Sequence, residues 1–350
     1  MIIGIDYRLA NSTWRGMGRY CREIVDCLIE IDKYNNYVLF FDGELRDSIK
    51  KENVRYVRIP TANYIIGEQV WLPFMVHREK CDILWCPNNT FPIFLSKRVR
   101  LFTTIHDLIF FYQNDGIQSF KQKIGKIYRK FILKKFSYRI NECFTVSEYS
   151  KGEIEKYLNI KCKIGITPNC IKKFSDKIKS YLQVHSVCKK SYFFTLSGDA
   201  PSKNLDVLIN VFIKEFPDEK LIIGGVGNDS IFRSYESSQI QFLQAGISDD
   251  RLIQSYLESR CFLFCSKYEG FGIPVLEAMA CGIPIISSNT TSLPEILDGS
   301  GYLVEPTYEG ICNGIRDFLN HINCKMLNYD RILNRYYDWH NSAKVILDKY

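Results

Sequence analysis

The sequence predicts an α/β protein made of two doubly wound halves in tandem, and three observations carry that prediction. Short apolar runs alternate with helical patterns along the chain, as parallel strands covered by helices require. The runs fall into two series, separated by a polar, basic stretch at 172–190. At 350 residues the chain exceeds what one core comfortably fills and suits two domains.

The first series is "IIGID" (2–6), "YVLFF" (37–41), "DILWC" (82–86), "VRLFTTIH" (99–106), "ECFTVS" (142–147) and "KIGITPN" (163–169). Their near-continuous apolar character is that of strands buried on both faces. The second series is "YFFTLSG" (192–198), "KLIIGGVG" (220–227), "QIQFLQ" (239–244), "CFLFCS" (261–266) and "IPIISS" (283–288). The expected division is a first domain over 1–171, a linker over 172–190, a second domain over 191–334 and a helix over 335–350. Trp339, Ala343, Ile346 and Leu347 give that last segment one apolar face, expected to pack back towards the first domain.

Composition narrows the class. A hydrophobic fraction of 46% and a charged fraction of 24% are those of a globular protein, not a disordered one. The 13 cysteines are odd in number, scattered and without a C-x-x-C pair, so reduced structural thiols in a cytoplasmic protein are expected. "MIIGID" enters a strand pattern without the basic start of a signal peptide. No run approaches the roughly 18 apolar residues of a spanning helix. The net charge of +7 gains meaning only where it clusters.

Chemistry concentrates in "YEGFGIPVLEAMACGIPIISS" (268–288). Pro274 suits the first turn of a helix and Gly282 a left-handed stop, which places Glu277 in the first turn of a helix about two turns long. Taken singly, Glu277 reads as a carboxylate stabilised by the helix dipole. Glu269 resists such a structural reading, because it sits between an apolar strand and glycines that permit close backbone approach to a ligand. The N–H groups of Gly270, Phe271 and Gly272 then face an anion at a helix N-terminus. A carboxylate beside an anion-binding turn calls for a hydroxyl-rich group, and a sugar attached to phosphate meets both demands.

That stretch, followed by "SLPEIL", resembles the E-x7-E region of the retaining glycosyltransferases of family 4, which have the GT-B fold of two Rossmann-like domains facing each other across a cleft. "GIDYRLANSTWRGMGRY" (4–20) resembles that family's glycine-rich first loop, in which Gly16 and Gly18 approach the donor phosphates. It is not a dinucleotide fingerprint, since Cys21 stands where a third glycine belongs. "CDILWCPNNTFP", "TVSEYSK" and "ITPN" also resemble family segments, and the likeness covers nearly the whole chain.

The resemblance implies roles for further residues. His106, in "TTIHDL", is on strand position alone more often structural than catalytic; the family has a histidine here that contacts the transferred sugar. Lys203, in "GDAPSKNLDVLI", reads alone as an exposed lysine at a helix start. The resemblance makes it the cation facing the donor diphosphate. Many relatives carry an arginine shortly before that lysine, where this chain has Gly198 and Asp199, so Arg15 or Arg19 would have to supply any second cation. The base-facing turn shows Gln244 and Ala245 in place of the usual glycine, which leaves the base unread. No D-x-D pair stands at a strand end, so no metal and no other cofactor is expected, and phosphate charge falls to Lys203 and helix N-termini.

"KQKIGKIYRKFILKKFSYR" (121–139) is basic and acid-free. Lys123, Lys126, Arg129, Lys130, Lys134 and Lys135 interleave with Ile124, Ile127, Tyr128, Phe131 and Phe136 as a basic amphipathic helix. It fits an anionic membrane surface, with the alternative that its apolar stripe packs on the core. No nucleic-acid module accompanies it.

The resemblance thus implies a metal-independent, retaining hexosyltransferase of bacterial O-antigen or other surface-polysaccharide synthesis. Catalytic residues are His106 and Glu269; donor-binding residues are Gly16, Gly18, Lys203, Gly270, Phe271, Gly272 and Glu277. Mannose from GDP-mannose is the leading donor, with dTDP-rhamnose or a UDP-hexose next. The expected acceptor is a glycan on a polyprenyl diphosphate, and the expected location the inner face of the cytoplasmic membrane. The alternative is a catalytically silent glycan- or lipid-binding subunit of the same fold. Oligomeric state is open.

Overall fold

The computed structural model describes residues 1–12, 16–45, 48–112, 120–321 and 328–350. They form two compact units. The first holds the described residues up to Asn169 together with Asp338–Tyr350, and the second holds Cys170–Tyr337.

In the first unit β1 (Ile2–Asp6), β2 (Asn36–Phe41), β3 (Val54–Arg58), β4 (Ile83–Cys86), β5 (Arg100–Thr104), β6 (Glu142–Thr145) and β7 (Ile164–Ile166) make one parallel sheet. Its order is β3-β2-β1-β4-β5-β6-β7. In the second, β8 (Tyr192–Leu196), β9 (Lys220–Gly224), β10 (Ile240–Phe242), β11 (Cys261–Phe264), β12 (Ile285–Ser288) and β13 (Tyr302–Val304) pair in the order β10-β9-β8-β11-β12-β13, also parallel. Each sheet therefore reverses direction once, between β1 and β4 and between β8 and β11. The carboxyl ends of those strand pairs are where doubly wound sheets bind ligands.

The central strands are as buried as their apolar sequences require. Ile83, Leu84, Trp85 and Cys86 of β4, and Cys261, Phe262, Leu263 and Phe264 of β11, are all inaccessible or nearly so. Burial pushes the Cys261 and Cys86 thiols well above their usual range, in keeping with inert packing residues.

The basic segment expected as a linker is instead mostly helix, Lys172–Val184, within the second unit. Phe174, Ile178 and Tyr181 are its buried residues, spaced i, i+4, i+7. The charges between them mask that period. The C-terminal segment divides as well: Asp330–Arg335 is a helix of the second unit, and His340–Leu347 a helix of the first. The final helix packs against the Met17–Ile31 helix and β7. The Trp339 indole N–H donates to Glu23 Oε2 at 2.9 Å.

Among the described residues, no helix is long and apolar enough to cross a membrane.

Candidate active site

The second sheet presents two loops at its switch point. After β8, residues 201–203 make one 3-10 turn, and Asn204 follows in the left-handed region at φ 58°. Its buried amide donates to the carbonyls of Cys265 at 3.1 Å and Pro306 at 3.0 Å. The Lys267 N–H donates to Ser202 O at 2.7 Å, which ties this loop to the one after β11. The two loops are thus pinned to each other by one backbone bond and the Asn204 amide, and their side chains meet. Lys203 Nζ lies 2.6 Å from Glu269 Oε1, with the ammonium 5.6 Å from the centre of the Phe264 ring.

Glu269 itself is held from below. Its N–H donates to Thr291 Oγ1 at 3.1 Å, and the buried Ser292 hydroxyl reaches the Glu269 and Phe271 carbonyls at 3.0 and 2.9 Å. Gly270, Phe271 and Gly272 lead into the Ile273–Ala280 helix, and Phe271 packs its ring edge-on to Tyr336 at 5.5 Å. Gly272 has φ 109°, and a Cβ there would stand 2.8 Å from Leu293 Cδ2, so this turn needs glycine. Gly282 ends the helix at φ 66°, as expected.

Glu277 is not in the first turn of that helix; it is the fifth residue and buried. One residue of helix before Pro274 and a start at Ile273 shift it into the second turn, so dipole capping does not explain it. Tyr256 donates its hydroxyl to Glu277 Oε2 at 3.1 Å.

The departures noted at Asp199 and Gln244 find a structural account. Asp199 accepts from the Ser230 hydroxyl and, at 3.5 Å, from the Gly227 N–H, bracing the loop after β9. Arg233 donates to the carbonyls of Gly227 at 2.9 Å and Leu243 at 2.7 Å and to Asn228 Oδ1 at 3.2 Å. The turn after β10 does contain a left-handed glycine, Gly246 at φ 75°, one residue beyond Ala245.

The other expected residues lie in the first unit. Gly16 is the N-cap of the Met17–Ile31 helix at φ 58°, whereas Gly18 is buried inside its first turn and not in a loop. Arg19 pairs with Glu23 at 3.2 Å, and Arg15 lies outside the described residues. His106 follows β5 and is buried. Its N–H donates to Asn89 Oδ1 at 2.6 Å, its carbonyl accepts from Ser150 Oγ at 2.9 Å, and Nε2 is 3.1 Å from Pro87 O. A carbonyl only accepts, so Nε2 carries the proton and Nδ1 the lone pair. Burial pushes the imidazole pKa down to about 4, against the opposing bond to Pro87. Tyr20 sets its ring edge-on to the imidazole at 4.6 Å.

The sequence reading missed a buried charged cluster at the first sheet's own switch point. Arg8 donates to both Asp6 oxygens at 2.8 and 2.7 Å and to Tyr64 O at 3.0 Å, and Glu68 Oε2 is 3.8 Å away. Burial opposes the Arg8 charge, but Asp6 outweighs it and raises the pKa. Burial likewise pushes the Glu68 carboxyl up, against the hydrogen bond from Tyr128. "IDYR" offered the only sequence signal, an acid and an arginine straight after a strand.

The basic helix runs Phe120–Phe136. Lys123, Lys134 and Lys135 are exposed; Lys126, Arg129 and Lys130 are half-buried against the 109–112 turn, where Lys126 donates to Tyr112 O at 2.7 Å. Its core side is Ile132 and Leu133, with Tyr128 and Phe136 partly packed, whereas Ile124, Ile127 and Phe131 face solvent.

Comparison with known proteins supplies the remaining finding. Residues 14–173 match the family described as Glycosyltransferase Family 4, and residues 166–329 match the family described as Glycosyl transferases group 1. The chain is 27% identical over 337 residues to O-antigen chain mannosyltransferase B of Escherichia coli, covering 83% of each. It is 28% identical over 262 residues to O-antigen chain mannosyltransferase RfbU of Salmonella typhimurium, covering 71% of this chain and 68% of that one. Sucrose-phosphate synthase from Thermosynechococcus elongatus has the same fold at 15% identity, with a TM-score of 0.74 over 100% of this chain and 98% of that one. The two doubly wound units are those of the GT-B fold.

Proposed function

The chain belongs to the glycosyltransferases that join a family 4 domain to a group 1 domain, and on that premise we propose that it moves mannose from GDP-mannose to a hydroxyl of a lipid-linked glycan in O-antigen synthesis. Transfer proceeds with retention of configuration and without a metal ion. The names of the Escherichia coli and Salmonella relatives support the sugar and the pathway class. The observation that carries the site is the Lys203–Glu269 pair at the switch point of the second sheet.

Lys203 has three N–H donors, so one ammonium holds Glu269 and still reaches a donor phosphate. The N–H groups of Gly270 to Gly272, at the head of the 273–280 helix, take further negative charge. Both features act where charge develops as the nucleoside diphosphate departs. Glu269 grips sugar hydroxyls beside the leaving group, and Glu277 takes the nucleoside ribose. In the first unit, neutral His106 offers Nδ1 as an acceptor for a sugar hydroxyl. The acceptor oxygen bonds to the anomeric carbon on the face the phosphate leaves, and its proton goes to the departing phosphate oxygen. The acceptor rides on a polyprenyl diphosphate, so the enzyme works at the inner face of the cytoplasmic membrane, with the lysines of the 120–136 helix towards anionic lipid.

Thermal stability with GDP, UDP, dTDP and their sugars tests the donor assignment. A ligand at 100 times its Kd adds about 2.7 kcal/mol. Stabilisation by GDP and GDP-mannose is expected; stabilisation by UDP or dTDP alone would reassign the donor.

A further inference from the structure

Tyr256 packs in the core of the second unit, yet its hydroxyl engages a residue of the donor site. It lies on the Asp249–Glu258 helix and is fully buried. Its ring is clamped by Phe194, edge-on at 5.0 Å, by Phe262, tilted at 5.0 Å, and by Phe174, edge-on at 6.2 Å. Phe194 and Phe262 are register partners on β8 and β11, the two strands of the switch point. The ring is therefore set by the same strands whose loops carry Lys203 and Glu269.

The helix that carries it is fixed as well. The Tyr192 hydroxyl, from β8, donates to Ser255 O at 3.1 Å, and the buried Ser259 hydroxyl donates to Tyr256 O at 2.8 Å. Backbone and ring together aim the Tyr256 hydroxyl at the Ile273–Ala280 helix. Glu277 Oε2 stands 3.1 Å from it and Pro274 O 3.4 Å.

Packing alone does not call for that hydroxyl. Phenylalanine would fill the same space among these rings, and a buried O–H is unfavourable unless it is bonded. Here the bond goes to a carboxylate that is itself buried, and a bond to an ionised acceptor is stronger than one between neutral groups. Glu277 stands in the second turn of its helix, so the dipole does not hold it. Tyr256 therefore fixes where Oε2 stands before any nucleotide binds, and a side chain ordered in advance need not be ordered by the ligand.

We infer that Tyr256 is a positioning residue for the donor: its hydroxyl holds the Glu277 carboxylate in the orientation that accepts the ribose hydroxyls of a nucleoside diphosphate, and so sets the preference for a ribonucleotide. This rests on the reading of Glu277 as the ribose ligand. It adds that ribose recognition is built outward from the core, through a side chain that touches no ligand itself. Loss of the bond removes grip on the ribose and leaves the contacts to phosphate and base in place.

The test is calorimetric titration of the full chain with GDP and UDP, each against its 2′,3′-dideoxy counterpart. Wild type is expected to bind the ribonucleotide of its base at least about tenfold tighter than the dideoxy form, as loss of hydrogen bonds to a charged group implies. In Tyr256→Phe that preference should shrink to about twofold or less, with the affinity for the dideoxy form unchanged. In Glu277→Ala the preference is already gone, and adding Tyr256→Phe should change it no further, as expected of two residues acting as one unit. Tyr192→Phe removes a buried hydroxyl that braces the same helix without touching Glu277; it should lower the melting temperature and keep the preference. Glu277→Asp breaks the bond from its other end and should lose the preference too, which keeps the inference open to refutation should Tyr256→Phe not fold. A preference retained in Tyr256→Phe or in Glu277→Asp would overturn the inference, as would an equal weakening of both forms in Tyr256→Phe, which would mark the tyrosine as structural; in these cases Glu277→Ala shows whether the ribose reading itself stands. If wild type binds neither nucleotide, or binds both forms alike, the ribose reading falls and the inference with it.

Discussion

Lys203 Nζ stands 2.6 Å from Glu269 Oε1, each side chain supplied by a loop from one side of the switch point in the second sheet. Neither loop is left to wander: Asn204 pins one and Thr291 with Ser292 the other. An ion pair this constrained presents its charges in fixed positions before any ligand arrives, which is what electrostatic preorganisation requires.

Loss of either partner should therefore act on turnover more than on folding. Lys203→Ala and Glu269→Ala are each expected to lower kcat/KM by at least about 10²-fold, since the contacts proposed for them, to the departing phosphate and the sugar, would strengthen in the transition state. Steady-state kinetics on the two folded variants checks this, and wild-type kcat/KM in Lys203→Ala would remove its phosphate role.

Tyr20 ties His106 to the C-terminal helix. Its ring meets the imidazole at 4.6 Å and Trp339 at 5.3 Å, and its hydroxyl lies 2.7 Å from Thr167 Oγ1. Tyr20→Ala should lower kcat by about tenfold or more with little change in donor KM, through a misplaced imidazole. Tyr20→Phe keeps the ring and should lose only about 1 kcal/mol of stability with its hydrogen bond. Equal kcat losses in both variants would argue against ring placement as the cause.

The buried imidazole also makes a pH signature. The ordinary histidine pKa is near 6.5, and the folded value is about 4. At pH 7 both states are neutral and the contribution vanishes. As pH falls below 6.5 the unfolded chain takes up a proton that the folded chain refuses, so stability drops until the folded group titrates near 4. Between pH 7 and pH 5 the loss is about 2 kcal/mol. Denaturant melts of wild type and His106→Gln at both pH values should differ by that amount, and parallel losses would show that His106 does not carry it.

Gly272 gives a purely conformational prediction. Its φ is 109°, and any Cβ placed on it would meet Leu293 Cδ2 at 2.8 Å. Gly272→Ala should therefore cost about 1–3 kcal/mol and lower donor affinity with it. Chemical denaturation and a donor titration on the same sample would read both, and an unchanged midpoint would show that the turn tolerates a side chain.

The sequence was legible where burial writes an unbroken apolar run, as in "DILWC" or "CFLFCS", and faint where a strand lies at an edge. β3 reads "VRYVR", alternating because one side meets water, and β13 has three residues, too few to show any period. The 172–184 helix hid for a related reason: only Phe174, Ile178 and Tyr181 face inward, and lysines fill the space between. Glu269 could be named from its glycine turn, whereas Lys203 and His106 could be named only through the resemblance to family 4, since alone they read as an exposed lysine at a helix start and a structural histidine. The supports of Glu269 and His106 could not, since Ser292 and Tyr20 come from positions remote in sequence and match no motif. Exposure was equally unreadable: Ile127 and Ile132 lie on one helix, one in water and one in the core.

Hexose transfer from a nucleotide donor to a lipid-linked glycan can be read from labelled mannose, carried from GDP-mannose into lipid-extractable glycan by the purified protein in EDTA, with Lys203→Ala alongside. Label is expected in the lipid fraction, undiminished by EDTA and lowered at least about 10²-fold in the variant. No label from GDP-mannose, dTDP-rhamnose or any UDP-hexose, with a folded protein and an accepted lipid-linked glycan present, would refute the transfer.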